Sequence, residues 1–448
     1  MYDSIIIGAG LAGLTVATEL AAAGKQVLVL EARNRVGGRI ENGALSDGQV
    51  VELGGQWVAE GHTRMRDLIS QRGLELVGPS RGDLIVRMEG TVSQVQAETS
   101  ARQALTPFEF SDLGQGLLRF RRLADKVSQN TVWAEANHHW LSQSLAQWIT
   151  GNLRTDAGRD YLCDLVRRAF EVEPEETSLM EALTKANNGV DLESLVAVNG
   201  GLKQERVRGG IAQLTDAMAA DLGDAVKLST PVTGVRHDDD HVVVTTADGQ
   251  TFEGATAVVT VPPRLLSDLT FDPPLPEERP SLAAKVPPGN VIKAFLVYDS
   301  PWWRRSGASG QMGADEGAVR VLFDTSDDET GKGVLMGFFE GAESSGYGKL
   351  SVTLRQRAFE EVVEKAFGKA PSEPLEYVDR DWLAERYTGG CHGAHFAPSL
   401  WTASGPVLAQ PLGRVHFAGA EYASAFNGYM EGCVRCGGEV ASAVLEQF

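Results

Sequence analysis

The stretch SIIIGAGLAGLTVATELAAAGKQVLVLE, residues 4–31, decides the fold. Residues 4–7 form an apolar run of strand length, and Gly8, Gly10 and Gly13 follow at G-x-G-x-x-G spacing with Ala12 in the same turn. Residues 14–23 then continue with helical periodicity. The first glycine permits the tight turn, the second lets backbone N–H groups approach a pyrophosphate, and the third lets helix and strand pack closely. The helix N-terminus adds partial positive charge for phosphates. Residues 26–30 make a second strand ending in Glu31, at the distance where an acid grips a ribose 2′-OH and disfavours a 2′-phosphate. Taken alone, this βαβ unit serves NAD or FAD equally. It predicts an α/β protein with a Rossmann-like domain.

The rest of the composition narrows the class. A chain of 448 residues has room for two or three domains. A net charge of -19 argues against a nucleic-acid partner, which would select a basic patch. The acidity mildly favours a cationic substrate, but it mostly reports a solvated acidic surface. Four cysteines in so long a chain suggest a reducing, cytoplasmic setting rather than a disulfide framework. No apolar run reaches the roughly 20 residues that span a bilayer, and the apolar start reads as strand, turn and helix rather than signal peptide. No membrane partner is therefore expected. His138 and His139 lack partners at metal-ligand spacing, so no metal is expected either.

Three further segments carry a resemblance. Residues 32–39, ARNRVGGR, follow the second strand; residues 52–57 read ELGGQW; and residues 389–432 run from Gly-Gly-Cys to Gly-Tyr-Met-Glu-Gly. Together with the nucleotide end they resemble the flavin monoamine oxidase family, FAD-dependent amine oxidases of the soluble bacterial type. Some members of that family carry a C-terminal membrane anchor, and none is expected here. The resemblance implies an amine oxidase fold, in which a Rossmann-like FAD-binding domain is interleaved with an α+β substrate-binding domain. The expected partition is 1–81, 207–283 and 395–448 for FAD, and 82–206 and 284–394 for substrate.

The resemblance also assigns residues. At the cofactor it places Ala32, Arg33, Gly38 and Arg39, whose guanidinium can fork onto phosphate oxygens. It adds Gly54, Gly55 and Gln56 along the isoalloxazine, with Trp57 as flavin packing or plain core. Val232 offers its backbone to the adenine, while Trp382, Gly419, Glu421 and Met430 complete the cofactor set. Lys293 interrupts the apolar run 290–298, where an ammonium needs a reason to be. In relatives this lysine holds a water against the flavin and assists hydride removal and reoxidation by oxygen; snorkelling from an edge strand is the alternative. Cys391 matches the residue that carries the flavin as a thioether in covalent members, and a free thiol beside the flavin is the other reading. Tyr429 matches one wall of the aromatic cage, whereas His392 stands where the family has the second tyrosine. Leu195 and Gln204 match substrate-cavity positions, Val196 beside Leu195 reads equally as gate or strand core, and Asp324 reads as a turn residue or an anchor for the second ammonium of a diamine.

The implied chemistry is removal of a hydride from the α-carbon of a neutral amine to FAD. The imine hydrolyses to an aldehyde plus ammonia or a smaller amine, and O2 regenerates the cofactor as hydrogen peroxide. The smaller, more polar His392 points to aliphatic or polar amines, including diamines. An L-amino-acid oxidase of the same superfamily and a non-catalytic flavin-binding interaction protein are the alternatives. A homodimer is compatible with this reading. Cys433 and Cys436 read as a helical packing pair rather than a metal site.

Overall fold

The computed structural model describes all residues except 60, 89, 96–106, 130, 171, 187–204, 286–288, 315, 341–343 and 392–406. His392, Leu195, Val196 and Gln204 therefore lie outside the described residues.

The opening stretch folds as the strand Tyr2–Ile7, the helix Leu11–Ala22 and the strand Val27–Leu30. The two strands pair in parallel, Ser4 opposite Val27 and Ile7 opposite Leu30, as a βαβ crossover requires. They sit inside an eight-stranded sheet completed by strands from residues 226–272 and by Val415–Phe417. Residues 242–252 and 257–261 read as a hairpin followed by a separate strand. The structure instead makes Thr251–Val259 one continuous strand whose first half pairs with Val242–Thr246 and whose second half pairs with Val415–Phe417. The run holds one glycine before Pro262, and Gly254 stays in the ladder opposite Val242 and Tyr2 where Ile5 packs close above it, so the strand continues through it. The helix Met430–Leu445 packs on the first helix, and Gly437 of the former meets Thr15 and Ala12 of the latter so closely that a Cβ would stand 2.9 Å from Thr15.

A second, seven-stranded sheet holds Asp83–Met88, Thr91–Val95 and five strands between residues 291 and 381. Its Val291–Tyr298 strand lies between Gly333–Glu340 and Glu376–Asp381, antiparallel to both, and all eight of its residues are buried. Alternation splits them: Ile292, Ala294, Leu296 and Tyr298 enter a core with the helix Val352–Phe367, whereas Val291, Phe295 and Val297 enter another with Phe323, Met336 and Phe338. Lys293 belongs by parity to the second face, which carries Trp57 and Cys391 at its margin.

A helical unit supplies a third body of core, from Leu113 to Ala186, against which Phe426 and Tyr429 pack. The helix Leu145–Asn152 starts where Ser144 and Gln147 close a reciprocal capping box. Among the described residues no helix is long and apolar enough to cross a membrane.

Candidate active site

A cavity of about 500 Å³ is lined by both sheets and by the N-terminus of the Met430–Leu445 helix. Gly8, Gly10 and Ala12 of the first turn line it, and Gly13 lies behind them. A Cβ on Gly13 would stand 2.1 Å from the Gly8 carbonyl oxygen, so the turn and helix can approach as they do only with glycine there. Glu31 is buried at the end of its strand, where one carboxylate oxygen accepts the Ala9 N–H at 2.8 Å and the other the Arg33 N–H at 2.9 Å. Arg33 reaches Glu385 at 3.3 Å and stacks over Tyr387 at 5.4 Å. Ala32, Arg33 and Val232 line the same part of the wall.

The opposite part is a shelf made by residues 52–57, clamped from several directions. Leu53 N–H donates to Glu41 O, Gly55 N–H to Arg39 O, and Trp382 Nε1 to Leu53 O at 2.9 Å. Glu52 accepts the Ile211 N–H at 2.8 Å. A Cβ on Gly54 would lie 2.0 Å from Arg39 O, which explains the glycine sterically. Lys293 Nζ donates to Gly54 O at 2.8 Å and to the Gln56 side-chain oxygen. Lys293 is 3 % exposed on a central strand, which excludes the snorkelling alternative. Burial pushes the Glu52 carboxyl up to about 7, against the pull of the Lys293 ammonium, the Ile211 N–H and Arg206.

Arg39 departs from the expected phosphate fork. Its Nη1 and Nη2 donate to the two Glu421 oxygens at 2.7 and 2.8 Å, and Nη1 also to Cys391 O at 2.8 Å. The planar guanidinium meets a carboxylate in bidentate fashion, which leaves only its remaining donors for a phosphate. The Glu421 charge holds Arg39 protonated despite burial. Glu421 and Trp382 thus stand one layer behind the wall, while Gly38, Arg39, Gly54, Gly55, Gln56, Trp57, Lys293, Cys391, Gly419, Tyr429 and Met430 line it. Asp324 is corrected as a diamine anchor: its carboxylate accepts Trp303 Nε1 at 2.9 Å, Arg304 Nε at 2.7 Å and Ser326 N–H at 2.9 Å, away from the cavity.

Sequence reasoning missed several residues of this neighbourhood. Thr388, one position before the Gly-Gly-Cys turn, lines the wall, and so does Cys433, whose thiol burial pushes up to about 12. Its neighbour Cys436 is buried in the core as a packing residue. His62 is fully buried with its ring 6.0 Å from that of Tyr429 and 5.4 Å from that of Phe426. Its Nδ1 accepts the Ala59 N–H, and burial together with Arg435 and Arg66 lowers its pKa to about 4. Thr388 and His62 carry no motif, and Cys433, read from the sequence as a packing residue, is marked as a wall residue only by the fold.

A long ligand with a polar, anionic middle fits these walls. Glycine turns give bare backbone, and Arg33 Nε, Gln56 Nε2, Trp57 Nε1 and Thr388 Oγ1 are buried without hydrogen-bond partners among the described residues. Among those residues no group of three His, Cys, Asp or Glu could hold a metal.

Residues 11–445 match the family model of flavin containing amine oxidoreductase. The chain is 33% identical over 444 residues to the Mycobacterium tuberculosis protein AofH, assigned to the flavin-containing monoamine oxidases, covering 99% of this chain and 96% of that one. It is 30% identical to an L-amino acid dehydrogenase of Synechocystis, over 99% of this chain and 94% of the relative. Among solved structures, wild-type putrescine oxidase bound to putrescine superposes with a TM-score of 0.92 at 27% identity, covering 99% of each chain.

Proposed function

The chain belongs to the flavin-containing amine oxidoreductases, and from that premise we propose that it oxidises a small aliphatic or polar amine, diamines included, to the aldehyde, ammonia or a smaller amine, and hydrogen peroxide. FAD, the family's cofactor, supplies the acceptor for the hydride and its two electrons when bound. We assign residues 1–81, 207–283 and 395–448 to holding it, and residues 82–206 and 284–394 to the substrate.

The observation that carries this reading is Lys293: an ammonium buried on a central strand and tied to the shelf 52–57 at the cavity wall. A fixed positive charge in a water-poor site favours negative charge developing beside it, and it needs no reorganisation when the charge appears. The protein's work is otherwise orientation, since hydride transfer from a neutral amine asks for alignment more than for a strong base. Tyr429, held against the helical core on one side and lining the cavity on the other, provides a flat apolar wall for the amine. Arg33, Glu31 and the first glycine turn hold the nucleotide half, with Gly10 and Ala12 giving backbone N–H groups to the diphosphate. His392, by its smaller polar side chain, and the likeness to putrescine oxidase both support an aliphatic amine or diamine. With Asp324 engaged elsewhere, a second ammonium would be recognised by other residues.

A peroxide assay across aliphatic amines, diamines, benzylamines and L-amino acids tests the reading, alongside anaerobic bleaching of the flavin absorbance. Peroxide with aliphatic amines or diamines is expected. Bleaching by amino acids alone would replace it with amino-acid oxidation, and silence with every compound would leave a flavin-binding protein without this activity. Yellow colour staying with the denatured chain would mark Cys391 as the covalent attachment point.

A further inference from the structure

Gln56 is 2 % exposed and lines the cavity beside Lys293. A lysine ammonium has three donors and no acceptor, so the Gln56 atom it meets can only be the amide oxygen. That contact fixes the whole amide: Oε1 lies on Lys293 Nζ, and Nε2 is turned away, buried and without a hydrogen-bond partner among the described residues. The ammonium also donates to Gly54 O at 2.8 Å, and the rings of Phe295 and Phe338 lie 5.5 and 6.0 Å from Nζ. A carboxylate at position 56 would hold a cation more strongly than an amide does, and would cancel its charge. A neutral acceptor holds the charge in place and keeps it.

We propose that Gln56 is the positioning residue for Lys293: its amide oxygen fixes the ammonium on the cavity wall with the charge intact, and its amide nitrogen becomes a second fixed donor on that wall. This rests on the reading of Lys293 as the charge that assists electron return to dioxygen. The charged groups around the pair are Glu52, two residues before Gly54 on the shelf; Arg206; and Arg380, opposite Lys293 in the adjoining strand. A change at position 56 acts on Lys293 through distance and charge; Glu52, whose carboxyl burial pushes up to about 7, titrates within the pH range of the test, so the midpoint of each variant is read against that of wild type.

The test uses FAD-loaded protein reduced anaerobically with dithionite and mixed with oxygenated buffer across a range of pH, so that it runs whether or not any amine is a substrate. Flavin content, the visible flavin spectrum and the rate of reoxidation are read. Gln56→Glu should keep FAD, slow reoxidation about tenfold and move the pH midpoint of the rate upward, because an added carboxylate favours the protonated lysine. Gln56→Leu should also slow reoxidation about tenfold, with the midpoint moved downward, because the charged form loses an acceptor. Opposite shifts are the signature a packing role would not give. Midpoints that stay put, or that move in the same direction, overturn the proposal. Should Gln56→Leu fail to fold or to hold FAD, the near-isosteric Gln56→Glu decides alone: an unmoved midpoint and a rate within twofold of wild type, about the width of a small free-energy difference, overturn it. Failure of the amine panel with opposite shifts intact would sink the substrate assignment and leave Gln56 standing.

Discussion

Glu31 meets the Ala9 N–H across 22 residues of chain, whereas Arg39 meets Glu421 across 382 and Lys293 meets Gly54 across 239. The first glycine turn and Glu31 close locally, inside one βαβ unit, although Arg33 also reaches Glu385 and Tyr387. The reactive end exists only when the shelf 52–57, the Lys293 strand, Cys391 and the Met430–Leu445 helix have all arrived. The first should tolerate damage to the second better than the reverse, because the βαβ turn keeps its own hydrogen bonds when distant segments shift, while every group of the shelf leans on another segment.

The largest expected effect is at the reactive end. Lys293→Met keeps much of the apolar volume and removes the ammonium from Gly54 O and Gln56. Reoxidation by dioxygen should fall on the order of 10²–10³-fold, the usual cost of deleting one preorganised charge-stabilising donor. FAD content should stay near wild type, since Lys293 bonds to the shelf at Gly54 and Gln56 while the first glycine turn and Glu31 keep their own hydrogen bonds. Stopped-flow absorbance after anaerobic reduction measures the first and the flavin-to-protein ratio the second. Wild-type reoxidation in this variant would remove Lys293 from the chemistry.

Next comes the Arg39–Glu421 pair, which joins the second turn to the final segment. Arg39→Ala leaves the Glu421 carboxylate, 5 % exposed at its side chain, without its bidentate partner. Breaking a buried pair from one side costs about 3 kcal/mol. Thermal unfolding should shift accordingly, and Cys391, whose carbonyl accepts from the same guanidinium, should lose its fixed position. Glu421→Gln, which keeps one acceptor and adds no unpaired anion, should cost less. Equal losses in the two variants would argue that the pair contributes through packing instead of charge.

Acid should also separate the two ends. His62, behind Tyr429, has its pKa lowered to about 4 from an ordinary 6.5 by burial and by Arg435 and Arg66. Between those values the unfolded chain binds the proton that the native state refuses, so stability is complete above pH 6.5 and is lost as the pH falls toward 4. At pH 5 the loss attributable to this group is about 2 kcal/mol. His62→Phe should flatten that limb of the stability curve, measured by denaturant unfolding at pH 7 and pH 5. An unchanged slope would place the acid sensitivity elsewhere.

What the sequence made legible follows the same division. The Gly8-to-Glu31 unit was readable from spacing alone, because each contact that explains a residue lies within the motif. Lys293 was visible as an anomaly, one ammonium in an apolar strand, but its partners were not, since nothing in residues 290–298 points to residues 54 and 56. His62 and Thr388 had no signature: their significance is burial and neighbourhood, which local patterns do not encode. Arg39 shows a partner that local sequence hides. A guanidinium after paired glycines in a nucleotide-binding turn suggests phosphate, and the fold adds a glutamate from the far end of the chain that takes two of its donors.

The smallest effect is expected at the local end, and it tests whether the division is real. Glu31→Gln retains a side-chain oxygen for the Ala9 N–H but removes the charge that faces Arg33 at 3.5 Å. The amide also offers a weaker acceptor to a ribose hydroxyl, since hydrogen bonds to an ionised partner are roughly twice as strong as neutral ones. FAD affinity should fall about tenfold, corresponding to about 1.4 kcal/mol. Glu31 bonds to Ala9 and Arg33 and, among the described residues, not to the shelf, so the reoxidation rate of the fraction that holds FAD should remain within about twofold of wild type, a difference worth less than 0.6 kcal/mol. Titration of apoprotein with FAD gives the first quantity and stopped-flow mixing the second. A reoxidation rate that falls together with affinity would mean that the nucleotide end sets the position of the reactive end, and that the two are one mechanical unit despite their separate hydrogen bonds.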